Sequence, residues 1–147
     1  MEIKTDGQWF YMGTPIGRKA LVKLFASVLL IENDNYYLKT PAEKVKIRVQ
    51  NTPFVITQWR QEVKDNINLF VLTTNLDEDI VLGSNHPLIT NEHGELTIEV
   101  KRGLHASIHR NVFYQWAELA QLKVINDEPH WVIESAGEFY SIGKAEE

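Results

Sequence analysis

Two short stretches of the chain combine cationic side chains with turn geometry, the combination that holds anions. In Gly13-Thr14-Pro15-Ile16-Gly17-Arg18-Lys19 a turn with two glycines leads into a basic pair and an amphipathic run. A helix start carries unpaired N–H groups and a partial positive charge, so Arg18 and Lys19 there are unfavourable by about a few tenths of a kcal/mol. A phosphate or a carboxylate beside them would relieve that. The second stretch, Lys101 to Phe113, places Lys101, Arg102, His105, His109 and Arg110 around the start of another helical run.

The opening turn is not a nucleotide-hydrolysis loop. Such a loop has four residues between its glycines, then Lys and Ser or Thr. Here three residues separate Gly13 from Gly17, Arg18 stands where Lys would, and no hydroxyl follows. His105 and His109 have the spacing of a helical metal chelate, but Leu104 to His109 alternates like a strand. Extended backbone would hold the two imidazoles about 13 Å apart, too far for one ion. The pair reads better as solvated or anion-facing, and no metal or cofactor is expected. No Gly-x-Ser-x-Gly elbow occurs. Gly83 to Pro87 reads as a turn, and Asp77-Glu78-Asp79 as a solvated one lacking calcium-loop spacing.

The elements that must position these residues are mostly strands. Residues 8–12, 36–39, 45–49, 54–59, 66–74, 95–101, 130–134 and 138–142 are aromatic or β-branched runs separated by turn-prone residues, with a short run near Ile80. Val45, Ile47 and Val49 alternate with Lys44, Lys46 and Arg48, as in a half-buried antiparallel strand. Residues 18–30 and 110–123 switch to helical period. Leu21, Leu24, Phe25 and Val28 form the predicted apolar stripe of the first. Val112, Phe113, Trp116, Leu119 and Ala120 form that of the second, continuing to Lys123. Some 80 residues of strand separate the helices, so the class is α+β rather than alternating βαβ.

The order turn, strand, helix, Asn-Asp turn, strand, strand occurs twice, ending once at Val49 and once at Ile142. This predicts a duplication, and two half-domains create a cleft of the kind that ligands favour. Trp9, Phe10 and Tyr11 beside Lys44, Lys46 and Arg48 also sketch a stacking and charge surface. Alternation puts Trp9 and Tyr11 on one face and Phe10 on the other.

Bulk properties narrow the function. A length of 147 residues allows one ordinary domain or two very small ones, with a real core. The absence of cysteine excludes a disulfide framework, a thiolate zinc site and a cysteine nucleophile, and fits a reducing cytoplasm. The first residues lack a signal-peptide pattern. The longest apolar stretch, Val28 to Ile31, is far short of the ~20 residues that span a bilayer. A net charge of −5 argues against coating duplex DNA but leaves room for local basic patches.

Four blocks resemble one bacterial family, domain-of-unknown-function family 1285: DGQWFYMGTPIGRKALVKLFASVL, YYLKTPAEKVKIRVQNTPF, LTTNLDEDIVLGSNHPL and RGLHASIHRNVFYQWAEL. They run in family order from Asp6 to about Leu119. The most specific pieces are Gly13 to Arg18 and Thr40 to Lys44. The chain departs from the pattern at Asn51, where an acid is common, and at His105, which replaces Glu. The resemblance implies an α+β fold with a duplicated core: an N-terminal half, residues 1–52, and a C-terminal half, 53–147, superficially like a pleckstrin-homology domain. It also implies a ligand site between the halves for a nucleotide-like molecule, and a signalling role.

The expected function is therefore a cytoplasmic module that binds a nucleotide-like or phosphorylated small molecule, more a binder than an enzyme. Arg18 with Gly17, Arg102, His109 and Arg110 would supply charge and shape, and Trp9 or Tyr114 a stacking ring. Two alternatives stand beside it. One is a small hydrolase or transferase on a phosphorylated metabolite with His105 or His109 as acid/base. The other is an interaction domain for a signalling protein partner.

Overall fold

A computed structural model describes residues 1–145. The N-terminal half contains β1 (Glu2–Ile3), β2 (Trp9–Tyr11), β3 (Thr14–Pro15), α1 (Lys19–Ser27), β4 (Leu29–Glu32), β5 (Asn35–Lys39) and β6 (Lys44–Val49). Its strands form one sheet in the order β3-β2-β1-β6-β5-β4, antiparallel except for the parallel pair of β1 with β6. The C-terminal half begins with β7 (Phe54–Lys64), β8 (Ile67–Thr74), β9 (Asp79–Val81), β10 (Leu88–Thr90), β11 (Leu96–Lys101) and β12 (Leu104–Ile108). These make a second six-stranded sheet, ordered β10-β11-β12-β7-β8-β9, whose single parallel pair is β12 with β7. Helix α2 (Arg110–Leu119) follows. A three-stranded meander of β13 (Gln121–Ile125), β14 (Glu128–Ser135) and β15 (Glu138–Lys144) completes the chain.

The duplication is visible in the backbone. Each helix runs into a three-stranded antiparallel meander whose first hairpin closes on an Asn-Asp pair. The φ angles are 50° and 66° at Asn33-Asp34, and 51° and 67° at Asn126-Asp127. Two left-handed residues in a two-residue loop make a type I′ turn, whose twist matches that of the strands, and Asn and Asp tolerate that region better than most residues. Asp65-Asn66 closes β7 on β8 in the same way. That turn carries the hairpin five residues beyond the predicted end at Trp59, because Arg60 to Lys64 pair fully with Ile67 to Val71.

Both helices differ in detail from expectation. Helix α1 stops at Ser27, whose hydroxyl donates to the Leu24 carbonyl, and Leu29 already pairs with Leu38. Its buried residues are Val22 and Ala26, while Leu24, placed in the predicted stripe, is 61% exposed. Helix α2 ends at Leu119, and residues 121–125 form an edge strand rather than a further turn of helix. Val112 and Trp116 face the core as predicted, but Leu119 is exposed and Lys123 lies on β13.

The two halves share one core. Ile3, Trp9, Val22, Leu29 and Ile47 from the first half belong to the same buried cluster as Phe54, Ile56, Leu72, Leu104 and Trp116 from the second. The last meander is tied in by Ser135, fully buried. Its hydroxyl donates to the Leu82 carbonyl at 2.7 Å and accepts from the Phe70 N–H at 2.9 Å. No helix among the described residues is long and apolar enough to cross a membrane.

A pH prediction arises at Tyr140, in the same meander. Burial, reinforced by a 3.0 Å hydrogen bond donated to Glu138, pushes its phenol up to about 12. An unfolded tyrosine ionises near pH ~10. The folded state therefore holds the proton more tightly, a contribution fully present below about pH 10 and lost as pH rises toward 12. Urea midpoints measured across pH 9 to 12 should fall in that window, and Tyr140→Phe should flatten the fall. An unchanged slope in the variant would refute the assignment.

Candidate functional site

Arg18 occupies the cap position of α1 with extended backbone and an exposed side chain that makes no capping hydrogen bond. The positive helix start does find its carboxylate, and the other half supplies it. Asp77, in the β8–β9 turn, lies 2.7 Å from Lys19 Nζ and 3.5 Å from Lys23 Nζ. The hydrogen bond from Lys19, helped by the charges of both lysines, holds the Asp77 carboxyl below its usual range and outweighs the desolvation that would raise it. Asp77 is therefore more than the solvated turn residue expected: it joins the halves across a surface where the ion pair is exposed.

Beside this clip lies a crevice of about 230 Å³ between the halves, lined by Gly7, Gln8, Gly17, Lys19, Asn75 and Leu76 among others. Trp9 closes its floor. Expected as a stacking surface for a ligand, Trp9 is 1% exposed and stacks instead on Phe25, with ring centroids 6.2 Å apart. Its indole is core, because β2 turns that face inward and leaves Tyr11, at the strand's end, 56% exposed.

Arg102, though exposed, is engaged with the backbone of the other half. It sits in the left-handed region (φ +49°) at the tip of the β11–β12 hairpin and donates from Nη2 to the Leu29 carbonyl at 3.2 Å. The second half thus reaches over the exit of α1. Neither Arg18 nor Arg102 lines the groove that holds Arg110. Arg18 precedes α1 and Arg102 grips the backbone beyond its end, so a nine-residue helix of about 13 Å separates them. Arg102 and Arg110 flank β12, whose five residues span about 17 Å.

What the structure does bring together is Arg110 with Tyr114, one turn apart on α2. Both line a groove of about 480 Å³ whose other walls include Glu95, Ser107, Phe113 and Ile142. Tyr114 is 60% exposed, and Arg110 has no ion-pair partner among the described residues. His109 caps the helix: Nδ1 accepts from the Asn111 N–H at 3.1 Å, which leaves the proton of a neutral ring on Nε2. The groove borders the joint between the halves. Asn51 donates to Glu95 at 3.3 Å, and the Thr52 hydroxyl accepts from the Ser107 N–H at 3.1 Å.

Asn51, Thr52, Asn75, Asp77 and Glu95 were not among the sequence candidates. Each has a partner that lies far away in the chain, so no local spacing marks the contact. His105 hydrogen-bonds through Nδ1 to the Thr97 hydroxyl at 3.2 Å. No group of three His, Asp or Glu side chains suited to a metal is found among the described residues.

The N-terminal domain model of DUF1285, described as a domain of unknown function, matches residues 1–52, and the corresponding C-terminal domain model matches residues 53–142. No curated protein matches the chain. Two crystal structures of DUF1285 family proteins share the fold. The one from Silicibacter pomeroyi DSS-3 is 35% identical, with a TM-score of 0.83 over 98% of this chain and 79% of its own. The one from Shewanella baltica OS155 is 26% identical, with a TM-score of 0.64 over 80% of this chain and 89% of its own.

Proposed function

The chain belongs to the DUF1285 family, and on that premise we propose that it is a ligand-sensing module of the cytoplasm that binds a nucleotide-like or phosphorylated small molecule in the groove at the head of α2. One observation carries the reading: a free guanidinium, Arg110, and an exposed ring, Tyr114, share a groove with a carboxylate, Glu95, at its side. A phosphate suits the planar fork of arginine, which offers two parallel N–H donors. A base suits the tyrosine face. Sugar hydroxyls or a base amino group would donate to Glu95, the one feature of the groove that would repel a bare anion.

The groove's position supports a signalling role. Glu95 and Ser107 are the residues that Asn51 and Thr52 grip at the joint between the halves. A ligand that draws on Glu95 therefore competes with, or reinforces, a contact between them. Catalysis gains less support: among the described residues the Nδ1 partners of His109 and His105 are the Asn111 N–H and the Thr97 hydroxyl, and neither is a carboxylate that would orient the ring as an acid/base. The cysteine-free composition is in keeping with a reducing compartment.

A thermal-shift screen of mononucleotides, dinucleotides and cyclic dinucleotides tests the reading. A binder at a hundredfold its Kd stabilises by about 2.7 kcal/mol, an easily measured rise in Tm. Arg110→Ala should erase the rise, Tyr114→Ala should weaken it, and Arg18→Ala should leave it intact. A rise that survives Arg110→Ala, or no rise with any member of the panel, would defeat it.

A further inference from the structure

The outward face of the N-terminal sheet carries a different chemistry. Strand β6 turns Ile47 into the core and Lys44, Lys46 and Arg48 outward, spaced about 7 Å apart along the strand. The register of the neighbouring strands extends the pattern. Arg48 lies beside Glu2, and Glu2 beside Phe10; Lys46 lies beside Tyr37, and Lys44 beside Lys39. Lys4 joins them, with Nζ 5.5 Å from the centroid of Phe10.

This face therefore presents five cations, Lys4, Lys39, Lys44, Lys46 and Arg48, against two carboxylates, in a molecule whose net charge is −5. Both carboxylates are already matched, Glu2 by Lys4 and Glu32 by Lys44. Other nearby acids, Asp34 and Glu43, sit in the turns at the rim. Lys46 and Arg48 have no ion-pair partner among the described residues. Lys39 and Lys44 stand directly opposite one another, a like-charge pair that Glu32, bound to Lys44, offsets in part. Two half-buried rings, Phe10 and Tyr37, punctuate the charge, and Lys44 Nζ lies 4.6 Å from the Tyr37 centroid. Between Phe10, Met12, Lys46 and Arg48 the surface sinks into a concavity of about 440 Å³, beside a Met12 that is 83% exposed.

We propose that this face binds single-stranded nucleic acid, its backbone tracking the Lys44–Lys46–Arg48 row and its bases resting on Phe10 and Tyr37. The row from Lys44 to Arg48 runs about 14 Å along β6, long enough for two or three nucleotides and more than a lone phosphate would need. Rings interleaved with cations suit a strand whose bases are unpaired, since every base offers a π-face. A duplex hides those faces, and its denser phosphates would meet only five cations and a net-negative remainder. An acidic peptide would match the charge and leave both rings unused. The surface is distinct from the groove at α2, so Arg110→Ala should leave it untouched.

Fluorescence anisotropy with a labelled oligothymidylate of about a dozen nucleotides tests this at low salt. Binding should weaken steeply as salt rises. The double reversal Lys46→Glu/Arg48→Glu should weaken it by about a hundredfold, and Tyr37→Leu by about fivefold or more through lost stacking. Both variants should keep the wild-type circular dichroism, since the reversed residues are exposed and leucine still fills the half-buried site, with a small fall in Tm where Arg48→Glu meets Glu2. No saturable binding at low salt would overturn the proposal. So would equal binding to a duplex, to polyglutamate or to phosphatidylcholine vesicles containing phosphatidylserine, or binding indifferent to the charge reversal.

Discussion

Gly7→Ala should destabilise the protein by about 2 to 4 kcal/mol, with Tm falling by roughly 10 °C. Gly7 has φ +88°, a conformation that side chains rarely adopt, and a Cβ there would come within 2.6 Å of Asn75 Nδ2 and 3.2 Å of Val55 Cγ2. Asn75 cannot swing aside freely. Its Oδ1 accepts from the Val55 N–H at 3.0 Å, its Nδ2 donates to the Gly7 carbonyl at 3.2 Å, and its own N–H donates to the Val55 carbonyl at 2.8 Å. Two costs therefore combine, backbone strain at residue 7 and disruption of the polar clasp that joins the halves. Asn75→Ala removes the clash but also the clasp, so the double variant should cost less than the sum of the singles. Urea denaturation gives all three values, and a loss under about 0.5 kcal/mol for Gly7→Ala would contradict the close approach.

Trp116→Ala should cost about 3 to 5 kcal/mol. The side chain is fully buried and meets Trp59 and Phe70 edge-on, at centroid distances of 6.4 and 6.1 Å. Trp59 and Phe70 stack on each other at 5.1 Å, and the Trp59 N–H donates to Gln115 on α2. Removing the central indole leaves a cavity bounded by rings that cannot collapse into it together, which is the costly kind. Trp116→Phe should cost much less. It keeps an aromatic edge in place and removes an indole N–H that has no partner among the described residues. An alanine variant no less stable than the phenylalanine one would mean that Trp116 does not organise this cluster. Urea midpoints at constant m-value would decide it.

The fold was largely legible because alternation and turn chemistry are local signals. Val45 to Val49 and the Asn-Asp pairs announce strands and hairpins without reference to the rest of the chain. Helix phase was less legible. Leu21, Val22, Leu24, Phe25, Ala26 and Val28 are apolar almost all round α1, so two faces fit the period, and tertiary packing chose Val22 and Ala26. The end of α2 was hidden for a related reason: Ala120 to Lys123 continues a helical rhythm with no glycine or proline to break it, and only pairing with β14 reveals β13.

The candidate site was legible in kind rather than in place. Charge and aromaticity marked Arg110 and Tyr114, and the sequence could not say that Arg102 ends on the backbone carbonyl of Leu29, 73 positions away. Long separation in sequence likewise hid the match between Lys19 and Asp77. Long-range partners of this kind are set by topology, and a cation meeting a backbone carbonyl leaves no trace in residue type.

The shared core has a consequence for birth as well as for stability. During translation the first half leaves the ribosome with Ile3, Val22 and Leu29 still facing water, because Phe54, Leu72 and Leu104, which cover that cluster, have yet to be made. At about 5 to 20 residues per second, the remaining sequence takes roughly 5 to 20 s to appear. For that interval the nascent chain presents an oily, half-built sheet, the kind of surface that holding chaperones recognise.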